Sequence, residues 1–299
     1  MISRLTLERM FSMSKKIVLI TGASNGIGKE TALELAKGNY QLIIHGRNPE
    51  RTKKVYDEII ALGNYDVSMI TADFSLLSEV AKFADKVKAQ VDHLDVLYNN
   101  AGGQFGEERE VTTEGHEKTF AINMLAPFLL TKLLLPLLEK SASARIVTQS
   151  SESYQQSGDP ILDDIELKDH YSFGVAYGLS KLYVWWVMRE FAKRLKENNV
   201  QNVSVNTVEP GTALSTGLQR VSGKIPEMQK LIDEYQQYSW SIPEAAATGI
   251  YMITSPDVEG VSGKFYGNKK EKEIDSKWYS ENGQEQIWDY CNEASEKYL

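Results

Sequence analysis

The sequence has few residues of the kinds that build disulfide frameworks and metal sites. Its 299 residues include one cysteine, Cys291, and four histidines. One thiol cannot form an intramolecular disulfide, and no histidine stands at metal-ligand spacing from Cys291, so neither a disulfide scaffold nor a metal site is expected. Such sparse use of cysteine predicts a reducing, cytoplasmic location.

Basic residues are also scarce relative to acidic ones. Lys and Arg number 33 against 41 Asp and Glu, which gives a formal net charge of −8. Because proteins bind nucleic acid mainly through basic contacts with phosphates, this balance argues against nucleic acid as a partner. Hydrophobic residues make up 42% and charged residues 25%, which excludes collagen-like and wholly disordered chains.

Long uninterrupted apolar runs are absent as well. The best candidate, residues 120–138, is interrupted by Asn123, Lys132 and two prolines. A membrane span needs about 20 mostly apolar residues, and a lysine near its middle is costly, so we expect a helix buried on several sides. Residues 1–14 carry charges and lack an apolar stretch, which predicts a flexible extension instead of a signal or membrane anchor.

Short apolar runs alternate with longer amphipathic patterns along the chain. Strands are predicted at residues 17–21, 41–45, 67–71, 94–98, 144–148, 203–208 and 264–266, and the longer helices at 75–91, 113–139 and 174–198. This alternation favours βαβ crossovers and a parallel sheet covered on both faces. The sequence therefore predicts a doubly wound, Rossmann-type α/β fold with one domain over residues 15–299, whose ligand binds at the carboxyl ends of the strands.

Three late segments depart from this alternation. Residues 152–176 are predicted to be a solvated acidic insertion, and residues 212–241 a substrate loop or lid. In the tail at residues 269–299, residues 269–272 are a charge run that we expect to be solvated. The helix after it has an apolar stripe that includes Trp288 and Cys291, which predicts docking on the core.

A glycine-rich turn directly follows the first predicted strand. Glycine lets the backbone turn tightly and approach a pyrophosphate, while the helix that follows offers free N–H groups and the positive end of its dipole. A plain strand-to-helix loop also uses glycine, but the strand–turn–helix context favours a dinucleotide site. The candidate cofactor-binding residues of this turn are Gly22, Ser24, Asn25, Gly26, Ile27 and Gly28.

Tyr177 and Lys181 lie four residues apart on a predicted helix, so their side chains face the same way. A phenol ionises near pH 10, and a nearby ammonium favours the phenolate and lowers that pKa. Ser151, after the fifth strand, would hydrogen-bond the same substrate oxygen as Tyr177. Alone, the Tyr–Lys pair is more often a surface aromatic and a solvated charge; with Ser151, Asn123 and the glycine-rich turn, we interpret Tyr177 as a general acid or base.

Six motifs in this order resemble those of the short-chain dehydrogenase/reductase family. They are TGxxxGIG at residues 21–28, NNAG at 99–102, Asn123, Ser151, YxxxK at 177–181 and Pro210-Gly211. The resemblance covers about residues 16–267 and implies hydride transfer between a nicotinamide cofactor and a small-molecule carbonyl or alcohol. It implies the catalytic residues Asn123, Ser151, Tyr177 and Lys181, with Lys181 holding the nicotinamide ribose and Asn123 supporting a water relay. Further cofactor contacts that it implies are Asp73, Phe74, Asn100, Ala101, Gly102, Tyr177, Lys181, Pro210, Gly211 and Thr212.

The end of the second strand bears on the choice of cofactor. A carboxylate there would bind the adenosine ribose and repel a 2′-phosphate, but this chain has Gly46-Arg47. Arg47 can make charge-assisted bonds to a phosphate, which favours NADP(H) over NAD(H), although Arg47 could simply cap a turn. Lys29 is either a second source of positive potential or a solvated lysine. Asp73 is either an adenine-side contact or the N-cap of the helix that begins near Ser75.

The long gap between Ser151 and Tyr177 resembles the retinol dehydrogenase and carbonyl reductase group of the same family. This implies an apolar aldehyde, ketone or alcohol as substrate. Trp185 and Trp186 lie on a helix that often forms a dimer interface in the family, so a homodimer is predicted, with core packing as the alternative. Two other functions stay open: an NAD-dependent steroid or retinol dehydrogenase, and a nucleotide-sensing binding protein without turnover.

Overall fold

The computed structural model describes residues 15–212, 233–234 and 239–299. The predicted extension at 1–14 and most of the predicted lid at 212–241 lie outside the described residues. The strands are β1 (Lys16–Ile20), β2 (Tyr40–Gly46), β3 (Val67–Thr71), β4 (Val96–Asn99), β5 (Ala144–Gln149), β6 (Val203–Glu209), β7 (Phe265–Gly267) and β8 (Lys270–Glu271). The longer helices are α1 (Gly26–Ala36), α2 (Pro49–Ala61), α3 (Leu77–Lys88), α4 (Lys118–Leu138), α5 (Phe173–Glu197), α6 (Ile242–Thr254) and α7 (Glu281–Ser295).

These strands form one sheet in the order β3-β2-β1-β4-β5-β6-β7-β8. The first seven strands are parallel, and β8 pairs antiparallel with β7. The strand order reverses direction between β1 and β4, where doubly wound sheets bind their ligands. The predicted single α/β domain with a Rossmann-type, mostly parallel sheet is therefore confirmed.

Each central strand contributes side chains to both faces of the sheet, because successive residues of a strand point in opposite directions. Along β1, Leu19 joins the core beneath α3, α4 and α5, whereas Val18 and Ile20 join the core beneath α1, α2 and α6. All three side chains are fully buried. This two-sided burial explains why the strands read as continuous apolar runs instead of alternating ones.

Helix α4 is the segment that could be mistaken for a membrane span. It is long and apolar enough by composition, but 78% of its most apolar window is buried inside the protein. The apolar side chains of α4 therefore pack inside the protein, as we expected for residues 120–138. The cytoplasmic location stays a prediction from cysteine usage.

Two predicted helix starts differ from the structure, that of α3 by two residues and that of α4 by five. Helix α3 begins at Leu77 instead of near Ser75, and the carboxylate of Glu114 accepts hydrogen bonds from the N–H groups of Leu77 and Ser78 at 2.6 and 3.2 Å. Asp73 accepts only from Ser75 N–H, at 3.0 Å, so it caps the preceding turn and not the helix. Helix α4 begins at Lys118 and not at residue 113, because Glu117 caps it through Phe120 N–H.

The prediction of a wholly solvated acidic insertion was also wrong. Glu166 is buried, and its carboxylate accepts hydrogen bonds from Glu117 N–H at 2.8 Å and from the Tyr290 hydroxyl at 2.6 Å. His116 Nδ1 lies 2.9 Å from the same carboxylate. Burial opposes the charge, but these hydrogen bonds hold the pKa of Glu166 below its ordinary value. The insertion is thus tied both to the segment before α4 and to α7.

The C-terminal helix α7 docks on the core, as its apolar stripe predicted. The Trp288 ring packs edge-on between Phe128 and Phe191, at centroid distances of 5.2 and 4.7 Å. The two tryptophans that motivated the homodimer prediction, Trp185 and Trp186, are buried within the subunit. They therefore support the core-packing alternative and give no support to an interface.

Candidate active site

The glycine-rich turn joins β1 to α1 at the carboxyl edge of the sheet. Gly22 and Gly26 have positive φ angles of 68° and 55°, a region that favours glycine. A Cβ on Gly22 would lie 2.7 Å from Ala101 Cα, and one on Gly28 would lie 2.5 Å from the Gly22 carbonyl oxygen. The backbone can therefore take this compact form only with glycine at these positions.

The N-terminus of α1 differs from those of the helices around it. Its N-cap Asn25 makes no side-chain capping bond, and its first turn has no acidic residue. By contrast, Asn48, Ser172 and Ser280 cap α2, α5 and α7 through their side chains. An uncapped N-terminus beside a glycine turn presents free N–H groups and a positive dipole end, which fits a cofactor phosphate. Ser24 and Ile27 lie on either side of Asn25, with Ser24 against Gly46.

The segment at residues 99–102, at the end of β4, stabilises this turn through hydrogen bonds. The Asn100 side-chain amide donates to the carbonyl oxygens of Thr21 and Gly22, at 2.9 and 3.3 Å. The N–H groups of Asn100 and Ala101 both donate to the Thr21 hydroxyl at 3.0 Å. These bonds join the ends of β1 and β4, where the sheet order reverses.

His45 is a further residue of this region, and it belongs to none of the sequence motifs. Its Nδ1 accepts a hydrogen bond from Gly22 N–H at 3.2 Å, so Nε2 carries the proton and donates to the Ala72 carbonyl oxygen at 3.1 Å. Its ring stacks on Phe74 with 3.9 Å between centroids. Burial lowers the pKa of His45 to about 4, so the ring is neutral at physiological pH. A histidine at the end of an apolar strand gives no local signal of this role.

Arg47 and Asp73 lie at the adjacent ends of β2 and β3. The Arg47 guanidinium is more than half exposed, and its Nη1 is 4.0 Å from Asp73 Oδ2, which makes only a weak ion pair. Phe74 is buried against His45, whereas the Asp73 side chain is 39% exposed and open to an adenosine. Lys29 is already paired with Glu58, at 2.7 Å. Of the two predicted cations, Arg47 is the more available to a phosphate.

Ser151 and Tyr177 meet at the carboxyl end of β5. Burial raises the pKa of Tyr177 to about 12, and a hydrogen bond with the Ser151 side chain acts in the opposite direction. The Ser151 hydroxyl also lies 2.8 Å from that of Ser153. The neighbouring Ser150 donates its hydroxyl proton to the Lys181 carbonyl oxygen at 2.7 Å inside the core. Of the two adjacent serines, Ser151 is therefore the one that faces Tyr177.

Lys181 lies one turn after Tyr177 on α5 and is buried. Its Nζ donates to the Gln149 carbonyl oxygen at 3.0 Å and lies 5.7 Å from the centroid of the Tyr177 ring. Burial lowers the pKa of Lys181 to about 8. Within the described residues no carboxylate forms an ion pair with it. A buried ammonium of this kind suits a site that receives a polar or anionic partner.

Asn123 lies in a π-helical turn within α4, at Ala121–Leu125. Such single turns are common at functional sites because they re-aim a side chain without ending the helix. Its side chain accepts from Gly103 N–H at 2.9 Å and donates to the Gly103 carbonyl oxygen at 2.9 Å and the Ser180 hydroxyl at 3.0 Å. A Cβ on Gly102 would lie 3.1 Å from Asn123 Oδ1 and 3.2 Å from Lys181 Nζ, so all three residues converge.

Pro210, Gly211 and Thr212 follow β6 at the same edge. Gly211 has a φ of 70°, and its N–H donates to the buried Glu209 carboxylate at 2.6 Å. Lys272 lies 2.9 Å from Glu209 Oε1 and 2.7 Å from Glu152 Oε1. The prediction that residues 269–272 form a solvated charge run was therefore wrong for Lys272, because the buried Glu209 carboxylate draws in a cation.

The N-terminal and central parts of the chain match a known family profile. Residues 16–225 match the short chain dehydrogenase family. The chain is 35% identical to human retinol dehydrogenase 14 over 93% of this chain and 85% of that protein. It is 32% identical to human polyprenol dehydrogenase, over 91% of this chain and 83% of that protein.

Solved structures share the fold across nearly the whole chain. A Mycobacterium paratuberculosis protein matches with a TM-score of 0.74 and 23% identity, over 95% of both chains. Pseudomonas aeruginosa RhlG, solved as an NADP active-site complex, matches with a TM-score of 0.67 and 25% identity, over 86% of this chain and 96% of that one. These matches agree with the doubly wound topology of the sheet.

Proposed function

Because the chain belongs to the short-chain dehydrogenase family, we propose that it is an NADP(H)-dependent oxidoreductase acting on an apolar carbonyl or alcohol. The observation that carries this proposal is the convergence of Ser151, Tyr177 and Lys181 at the carboxyl end of β5. Asn123 approaches the same point from α4. The uncapped N-terminus of α1 supports a cofactor phosphate nearby.

In the direction of reduction, a nicotinamide cofactor, when bound, would supply the hydride that the carbonyl carbon receives. Tyr177 donates its phenolic proton to the carbonyl oxygen, so the substrate becomes an alcohol and the side chain becomes a phenolate. Ser151 donates a hydrogen bond to the same oxygen and stabilises the negative charge that develops there. Oxidation of an alcohol runs these steps in reverse, with the phenolate accepting the proton.

The Lys181 ammonium makes this proton transfer possible at neutral pH. Burial raises the pKa of Tyr177 to about 12 even though the hydrogen bond with Ser151 lowers it, so a phenolate needs a nearby positive charge. Lys181 Nζ is the cation on the same face of α5. Its remaining hydrogens can donate to a cofactor ribose, and the position of Asn123 beside Gly102 and Lys181 is consistent with the water relay that the family resemblance implies.

Arg47 is the basis for preferring NADP(H). Its exposed guanidinium stands where a carboxylate would otherwise select NAD(H), and it can bond a 2′-phosphate in bidentate fashion. The NADP bound to the related RhlG protein supports the same choice. We expect Arg47→Glu to lower kcat/KM for NADPH at least tenfold relative to NADH. An unchanged NADPH/NADH ratio would contradict this assignment.

The relatives' names support an apolar alcohol or aldehyde as substrate. Retinol and polyprenol are alcohols with long apolar chains, and proteins named for both are similar to this chain over most of its length. This also keeps alcohol oxidation open as the physiological direction. A homodimer stays a prediction without support from Trp185 and Trp186.

The test is a screen of carbonyls with NADPH and of alcohols with NADP⁺, followed by absorbance at 340 nm. We expect turnover of apolar aldehydes or ketones by the parent protein. Tyr177→Phe keeps the ring but removes the transferable proton, so it should lose about 100-fold or more in kcat while still binding NADPH. NADPH binding without turnover of any substrate would favour a nucleotide sensor, and binding of neither nucleotide would refute the proposal.

A further inference from the structure

We propose that Lys272 is a positioning residue that ties the loop at residues 209–212 to the residue following Ser151. This inference rests on the proposed function, because that loop would contact the nicotinamide. Lys272 reaches the site from far along the chain, through the β7–β8 hairpin. It belongs neither to the six family motifs nor to the catalytic set.

Lys272 joins two segments that do not otherwise share an ion pair in the described part of the chain. Its Nζ donates to Glu152 Oε1 at 2.7 Å and lies 2.9 Å from Glu209 Oε1. The second oxygen of Glu209 accepts from Gly211 N–H at 2.6 Å. One continuous path of hydrogen bonds thus runs from Glu152, next to Ser151, to the backbone of the Pro210-Gly211 turn.

Glu209 cannot easily adopt another arrangement. Its side chain is only 4% exposed, whereas that of Glu152 is 43% exposed. A buried carboxylate without a cation is costly, so Glu209 requires Lys272 far more than Glu152 does. Gly267 lies against the carboxylate, and a Cβ at that position would collide with Glu209. The β7–β8 hairpin therefore lies close enough to Glu209 for the Lys272 side chain to reach its carboxylate.

The lysine is held in its charged form by its two partners. Partial burial opposes the charge, but the hydrogen bonds that the ammonium donates to Glu152 and Glu209 raise the pKa of Lys272 above its ordinary value. It therefore stays an ammonium throughout the physiological range. The two ion pairs therefore do not depend on pH in that range, and they link the residue after the serine that would polarise the substrate oxygen to the loop that would hold the nicotinamide.

The experiment separates this positioning role from simple stabilisation. Lys272→Met leaves Glu209 buried and unpaired, and we expect its Tm to fall by about 10 °C. The double variant Lys272→Met/Glu209→Gln removes that charge while the amide oxygen can still accept from Gly211. Its Tm should return to within a few degrees of the parent. Lys264→Met is the matched control, because it breaks an exposed ion pair with Glu271 on the same hairpin.

Each variant is titrated with NADPH, NADH and 2′,5′-ADP, which lacks the nicotinamide half. For the double variant we expect affinity for NADPH to fall about tenfold and affinity for 2′,5′-ADP to stay within about twofold. Lys272→Arg should retain most of the parent affinity, and Lys264→Met all of it. Equal losses for both ligands, or no loss for either, would overturn the inference while the proposed function stands. A parent protein that binds no nicotinamide nucleotide would overturn both.

Discussion

The two halves of the carboxyl edge are built by different physical means. On the adenosine side, around Gly22 and His45, neutral hydrogen bonds, stacked rings and glycine sterics hold the backbone. On the catalytic side, buried ionisable groups dominate: Lys181, Glu209 and its partner Lys272. The contacts of the first half are therefore made by groups that are neutral in the folded protein at pH 7, whereas the second half depends on where charges lie.

This difference indicates which parts of the site tolerate amino-acid substitution without loss of the fold. Neutral contacts between backbone groups need one geometry, so the glycine turn tolerates little variation. Charged groups stabilise a polar reaction, but each carries a desolvation cost that must be offset by a partner or a ligand. Substitutions on the adenosine side should therefore lower activity and stability together. Substitution of Lys181 should lower activity but raise stability.

The largest expected effect is at Lys181. Lys181→Met should lower kcat about 1,000-fold, because the phenolate of Tyr177 loses its cation. The same variant should be more stable by about 2 kcal/mol at pH 7, since a buried ammonium with a depressed pKa is removed. The folded pKa of about 8 lies below the ordinary 10.5, so the cost is fully present below pH 8 and disappears towards pH 10.5.

Urea unfolding at pH 7 and pH 10 measures this effect. The stability difference between Lys181→Met and the parent should shrink at the higher pH. Lys193→Met on the same helix, whose lysine is exposed, is the control, and its stability difference from the parent should be much smaller at either pH. A destabilised Lys181→Met variant would contradict the contrast between the two halves.

On the adenosine side, Gly28→Ala should lower stability and cofactor affinity together. The added Cβ would meet the Gly22 carbonyl oxygen at 2.5 Å, which forces the turn apart and costs about 3 kcal/mol. We expect NADPH affinity to fall at least tenfold in isothermal titration. Gly174→Ala adds the same methyl group where no atom lies within 4 Å, and it should leave both quantities nearly unchanged.

The next effect concerns His45 and acid. Its folded pKa of about 4 lies below the ordinary 6.5, so the unfolded chain takes up the proton first as the pH falls. This group alone should lower stability by about 2 kcal/mol between pH 8 and pH 5. The variant His45→Asn should flatten that part of the curve of unfolding free energy against pH. His170→Asn, at an exposed histidine, should leave the His45 contribution in place.

The smallest effect compares the two cations near the glycine turn. Lys29 is held by Glu58, so Lys29→Ala should change NADPH affinity by less than about twofold. Arg47→Ala should lower it about tenfold, because among the described residues its guanidinium forms an ion pair only with the distant Asp73. Equal losses in the two variants would mean that Lys29 leaves Glu58 to bind the phosphate.

The sequence predicted most of what depends on local pattern. The strand β3 was predicted at its observed bounds, Val67–Thr71, because a short apolar run between polar segments has one simple interpretation. The cap that Glu114 provides to α3 was missed, since its partner lies far along the chain. Glu166 and Lys272 were missed for the same reason: a charged residue in a loop gives no local sign that tertiary structure will bury its partner.

The docking of α7 makes the order of synthesis matter for this protein. Helices α4 and α5 leave the ribosome well before α7, so the apolar surface around Phe128 and Phe191 stays open on the nascent chain until Trp288 arrives. Cys291 lies on α7, is fully buried once the helix docks, and is the one cysteine of the sequence. Labelling of Cys291 by a thiol reagent therefore requires an opening that exposes α7, so its rate reports the population of such open states.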